Sequence, residues 1–123
     1  MSYLAIAFFG GLGCLSRYLL SGWVYTLCGR TLPWGTLVVN VIGSLLLGLV
    51  MEGSLRSTLL SPTLRLAITV GFMGGFTTFS TFSYETVRLV EEGNLLGAGG
   101  NVLLNGGLCV LAAGIGIVVA RQF

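Results

Sequence analysis

Between Gly71 and Glu85 the chain reads Gly-Phe-Met-Gly-Gly-Phe-Thr-Thr-Phe-Ser-Thr-Phe-Ser-Tyr-Glu, and this stretch restricts the possible folds more than any other. It lies inside an apolar segment long enough to cross a bilayer, yet five of its residues are Thr or Ser and three are Gly. Hydrocarbon leaves exposed backbone and unpaired polar groups without partners, so such an interruption belongs against protein or beside a water-filled path. Polar groups at that depth usually mark a route for an ion or substrate. Phe79 and Phe82 stand among the hydroxyls at a spacing of i, i+3, which puts both rings on one face of a helix.

The rest of the chain agrees with a membrane location. Of its 123 residues 54% are hydrophobic and 8% charged, against about 25% charged in a soluble domain. A spanning helix needs roughly 20 mostly apolar residues, and four segments qualify, at about 3–28, 33–53, 63–90 and 95–120, with the third interrupted near 74–78. The expected fold is therefore an all-α membrane protein of four transmembrane helices in a single domain, 1–123, its third helix broken at mid-membrane. The first apolar run outlasts the hydrophobic region of a signal peptide and has no basic flank, so it is expected to be a span. Gly, with 20 copies, reads as close helix contact in a membrane, since small residues let backbones approach. The Gly71/Gly75 pair marks either such a contact or the chain break itself.

Charge excludes several classes. The net charge of +2 comes from scattered Arg residues, with no Lys, His or Asp. No basic patch for nucleic acid results. Cys14, Cys28 and Cys109 are far apart in apolar sequence and suggest small buried hydrophobes, neither a zinc site nor a redox pair. With no His, no Asp and no nucleophile–base pair, an enzyme is not expected.

Four spans put both termini and the 2–3 connection on one side, with Arg56, Arg65 and Arg121; the other side has Arg30 and Arg88. Three against two is almost no bias under the positive-inside rule. Such a chain can insert both ways, and two opposed copies would form an antiparallel homodimer, an inverted repeat built from separate chains.

Three helices carry donor-rich stripes. Thr36, Asn40 and Ser44 lie at i, i+4, i+8, as do Asn101, Asn105 and Cys109. Thr77, Thr78, Ser80, Thr81, Ser83 and Tyr84 supply the third. These groups either bind helices together or line a pathway. Donors without mid-membrane carboxylates suit a small anion, and phenyl edges carry the positive part of the ring quadrupole. Arg17, in the middle of the first span, attracts anions in a vestibule, snorkels or pairs structurally. Glu85 accepts a hydroxyl donor or, as the preferred reading, pairs with Arg88. Carbonyls freed at the break between Gly74 and Thr78 are able to hold a small cation.

Three motifs resemble the Fluc (CrcB) family of fluoride channels: Gly10-Gly-Leu-Gly-Cys-Leu-Ser-Arg-Tyr18; Gly35-Thr-Leu-Val-Val-Asn40 followed by Gly43; and Gly71-Phe-Met-Gly-Gly-Phe-Thr-Thr-Phe-Ser-Thr-Phe82, with Glu85 in register. The resemblance implies an antiparallel dual-topology homodimer with two fluoride pores in a bacterial inner membrane, exporting fluoride passively from the cytoplasm. It implies that Phe79, Phe82 and Asn40 line the pore, beside a polar track containing Ser80 and Thr81. It also implies a structural sodium ion at the dimer centre, on the backbone carbonyls of Gly74 and Thr77. Family members carry Tyr or Ser where this chain has Asn101, Asn105 and Cys109; the two amides fit the ion path, whereas a thiol is a poorer donor. The alternative is a small multidrug or guanidinium exporter, which needs a membrane-embedded carboxylate; the first span has none.

Overall fold

The computed structural model describes residues 1–123 and is entirely helical. Its elements are α1 (Ser2–Cys28), α2 (Trp34–Arg56), α3 (Pro62–Leu66), a π-helical turn (Ala67–Phe72), α4 (Met73–Phe76), α5 (Phe79–Glu91) and α6 (Leu95–Ala120). The helices α1, α2 and α6 and the composite Pro62–Glu91 are each long and apolar enough to cross a membrane, with mean hydropathy between 1.2 and 2.3. At 1.5 Å per residue even the shortest spans more than the ~30 Å hydrocarbon layer. The chain is a multi-pass membrane protein.

Local chemistry sets the helix ends. Gly29 stops α1 with φ 81° and returns its N–H to the Tyr25 carbonyl, in the left-handed region that favours glycine. Ser61 caps α3 by accepting from the Leu64 N–H at 3.2 Å, with Pro62 in the first helical turn. Asn94 does the same for α6 through the Gly97 N–H at 2.8 Å.

The second helix continues to Arg56, three residues beyond the sequence expectation, and ends where Ser57 becomes extended. The break in the third span is narrower than 74–78: Gly74 to Phe76 remain helical and only Thr77 and Thr78 are extended. Upstream, the π-helical turn was not foreseen. No Pro or Gly run announces it, and its i→i+5 bonding is a register adjustment of a kind that often lies near functional sites.

Packing explains why the glycines at the break stay helical. Gly71 and Gly75 lie directly against the backbone of α1. A Cβ on Gly71 would come within 2.7 Å of the Ile6 carbonyl, and one on Gly75 would collide with the Gly10 carbonyl. The pair therefore marks a helix contact and not the break. A second close crossing joins α2 to α6, where Gly48 meets the Ala113 carbonyl and Gly116 the Leu45 carbonyl. In lipid, such van der Waals approach is a main source of helix association.

Only 21 of 123 residues are buried, and Phe8, Leu15, Leu103 and Val110 are exposed, the surface of a thin bundle facing lipid or a partner. The cysteines differ from the expectation of burial. Cys14 and Cys28 are exposed and Cys109 is half-buried, all as free thiols. An apolar solvent removes the pressure to bury a thiol, so the rule drawn from water-soluble proteins fails here.

Candidate functional site

The break is built by Asn40. Its Oδ1 accepts from the Thr78 N–H at 2.8 Å, and its Nδ2 donates to the Thr78 carbonyl at 3.1 Å. This two-point contact substitutes for the helical bonds that Thr78 lacks. Asn40 is 9% exposed and Thr36, one turn before it, 4%, so the stripe read from sequence faces inward. Thr78 also caps α5: its Oγ1 accepts from the Thr81 N–H at 3.2 Å and donates to Thr81 Oγ1 at 2.9 Å. No backbone N–H reaches the Thr77 carbonyl. Gly74 is exposed, and a side chain there would meet nothing within 4 Å.

The cap aims the two rings. Phe79 and Phe82 have centroids 5.3 Å apart with planes at 56°, as their i, i+3 spacing anticipates. Phe79 is 78% exposed. Both rings border a cleft of about 510 Å³, opposite Asn40, Ser44, Asn105 and Cys109. Cys109 thus lines this cleft, whatever its weakness as a donor.

The α6 amides divide. Asn105 borders the cleft, whereas Asn101 borders a separate small cavity beside Pro33 and Trp34. Both are 6% exposed and all their resolved contacts are internal. Asn40 Nδ2 donates to Asn105 Oδ1 at 3.1 Å, Asn105 Nδ2 to Asn101 Oδ1 at 2.8 Å, and Asn101 Nδ2 to Thr86 Oγ1 at 2.9 Å. Thr86 was not singled out from sequence, because a Thr on a membrane helix usually satisfies itself on its own preceding turn; here it does so and also accepts from α6.

Toward the α1–α2 loop, a second cleft of about 390 Å³ is bordered by Tyr25, Thr81, Tyr84, Glu85, Arg30 and Arg88. Glu85 accepts hydroxyl donors here, one from Thr36 and one from Tyr25 at 3.2 Å. The pairing with Arg88 is not made. Arg88 turns to Glu91 at 3.0 Å and Glu92 at 3.9 Å, which are nearer the water. Arg30 stands 4.9 Å over the Tyr25 ring. Ser80 is exposed, with its hydroxyl 3.4 Å from that of Thr78. Arg17 makes no ion pair, and its Nε is enclosed without a hydrogen-bond partner.

Asn40, Phe79, Phe82 and Asn105 therefore meet at one cleft; Thr81 and Glu85 meet at another; Asn101 stands behind the first. No group of three His, Cys, Asp or Glu side chains is placed to hold a metal, so a cation at this site would take its oxygens from the backbone or from neutral Thr, Ser and Asn side chains.

Comparison with known proteins identifies the family. Residues 4–117 match the family described as CrcB-like protein, Camphor Resistance (CrcB). A protein of Syntrophotalea carbinolica named fluoride-specific ion channel FluC is 66% identical over 122 residues, 99% of each chain. One of Geobacter sulfurreducens with the same name is 60% identical over 119 residues, 97% of this chain and 96% of the other. Another, of Geotalea uraniireducens, is 59% identical over 118 residues. On the match across nearly its whole length, the chain belongs to the CrcB family.

Proposed function

We propose that this protein is a fluoride-selective channel, formed by two antiparallel copies in a bacterial inner membrane, through which fluoride leaves the cytoplasm passively and its toxicity falls. The observation that carries the reading is Phe79. A phenyl ring that is 78% exposed, fixed by a helix cap and set beside a largely apolar cleft that Asn40, Ser44 and Asn105 also border, is a half-built wall. A second copy supplies the other half. The names of the close relatives point to the same ion.

Fluoride is small and strongly hydrated, so a narrow path must offer compensating donors at several weak sites in series. Phenyl edges of Phe79 and Phe82 present partial positive charge. The buried amides of Asn40 and Asn105 border the facing wall and hold its shape, their hydrogens engaged within the chain. Ser80 and Thr81 continue the donors toward the second cleft. Glu85, tied to Tyr25 and Thr36, borders the same second cleft. Arg17 adds positive potential near the broken span. Chloride, being larger, is excluded by fit. Two opposed copies give two such paths.

The family resemblance also implies a central sodium ion. The residues present fit one: the Thr77 carbonyl has no backbone partner, and the space beside the Gly74 Cα is open. Two copies would contribute these carbonyls from both sides of the axis. Bound there, the ion would neutralise carbonyl repulsion at the dimer centre and hold the two breaks together.

The test is fluoride-electrode efflux from liposomes containing the purified protein, with chloride as the control. Fast fluoride release with negligible chloride release is expected. Impermeability to fluoride, or a uniform orientation of all copies in the membrane, would refute the reading.

A further inference from the structure

The hydrogen bonds around α6 run in one direction and end where they began, on the segment that carries the rings. Asn40 grips Thr78 at both its N–H and its carbonyl. The second Nδ2 hydrogen of Asn40 goes to Asn105, both Nδ2 hydrogens of Asn105 go to Asn101, and Asn101 donates to Thr86. Thr86 Oγ1 in turn donates to the Phe82 carbonyl at 2.8 Å. With its proton committed to Phe82, that hydroxyl has only lone pairs left for Asn101. The chain therefore starts at Thr78, one residue before Phe79, crosses to α6, and returns to the backbone of Phe82.

We propose that Asn101 and Thr86 are positioning residues for the two phenylalanines: the amide chain Asn40–Asn105–Asn101–Thr86 ties both ends of the Thr78–Phe82 segment to α6 and so fixes the spacing and tilt of its rings. This rests on the fluoride reading above for its consequence, though not for its geometry. All three amides are buried, where a polar group left without a partner is costly, so the members hold one another in a single arrangement. Asn101 acts through Thr86 and does not border the cleft, which separates it from a residue that meets the ion.

The consequence is a set of linked losses. Thr86→Val replaces one hydroxyl by a methyl at nearly constant volume, Asn101→Ala removes the neighbouring link, and Thr86→Ser keeps the hydroxyl. In liposomes holding the full-length protein, Thr86→Val and Asn101→Ala should each slow fluoride efflux about fivefold to tenfold, the change expected for one lost buried hydrogen bond. The double variant should be no slower than the slower single one, because links in series are not lost twice. Thr86→Ser should restore the rate to within about twofold. Amide hydrogen exchange at Thr78 should quicken in Thr86→Val by a similar factor.

Losses that multiply in the double variant would overturn the proposal, as would unaltered efflux and exchange in Thr86→Val. If Asn101→Ala does not assemble, Thr86→Val and Thr86→Ser decide the question alone. An unsubstituted protein that passes no fluoride would sink the channel reading. Faster Thr78 exchange in Thr86→Val would still establish the tether in that case.

Discussion

Asn40 and Thr78 meet across two helices in a reciprocal contact, Oδ1 to N–H at 2.8 Å and Nδ2 to carbonyl at 3.1 Å. A side-chain amide thereby copies the hydrogen bonding of a peptide and allows a membrane helix to stop and restart. The arrangement links folding to function, since the same residue borders the cleft beside Phe79 and Phe82.

Asn40→Leu leaves both polar groups of Thr78 without a side-chain partner. Each buried group so exposed costs about 1–3 kcal/mol. Fluoride efflux should be lost, and resistance to denaturant in detergent should fall measurably against the unsubstituted protein. Normal flux in this variant would show that the break is held by something else.

Phe79→Ile and Phe82→Ile should each abolish fluoride efflux while gel-filtration reports the same assembly, the proposed dimer, as for the unsubstituted protein. Phe79 is 78% exposed, so its replacement takes little packing from the chain itself. Unchanged flux in both variants would remove ring edges from the mechanism.

Neighbouring glycines should behave oppositely. Gly75→Val drives a side chain into the Gly10 carbonyl and Cys14 of α1, and overpacking of this kind costs about 1–3 kcal/mol or more. Folded protein should be scarce on expression. Gly74→Val meets nothing within its own chain, so the chain should fold, and the weakened property should be dimerisation, read by subunit cross-linking. If Gly74→Val cross-links like the parent, the proposed two-fold axis does not pass near Gly74.

Thr36→Val removes one of the two hydroxyls held by Glu85, the other being that of Tyr25. Hydrogen bonds to charged groups contribute about 1.5–3 kcal/mol, so thermal stability in detergent should drop. Tyr25→Phe should cost less, because its contact is the longer of the two. Equal stability of all three proteins would mean that Glu85 finds other donors.

The sequence alone determined the spans, their number and the existence of a break, because a bilayer demands long apolar runs and tolerates Thr, Ser and Gly at depth only where protein surrounds them. It determined the pairing of Phe79 with Phe82 too, since residues three apart share a helix face. It also placed Asn40, Asn101 and Asn105 on stripes. What those stripes would touch was beyond it: spacing fixes a direction on one helix and says nothing of the neighbour's rotation. Only the packed bundle decided that Gly71 and Gly75 seat α1, which confines the extended backbone to Thr77 and Thr78. Only there did Glu85 turn to Tyr25 and Thr36, because the other acids, Glu91 and Glu92, reach Arg88 nearer the water. The course of the amide chain from Thr78 to Phe82 was likewise a tertiary decision: Asn105–Asn101 and Thr86–Phe82 are contacts four residues apart within one helix, but Asn40–Thr78, Asn40–Asn105 and Asn101–Thr86 form only when α2, α5 and α6 close together.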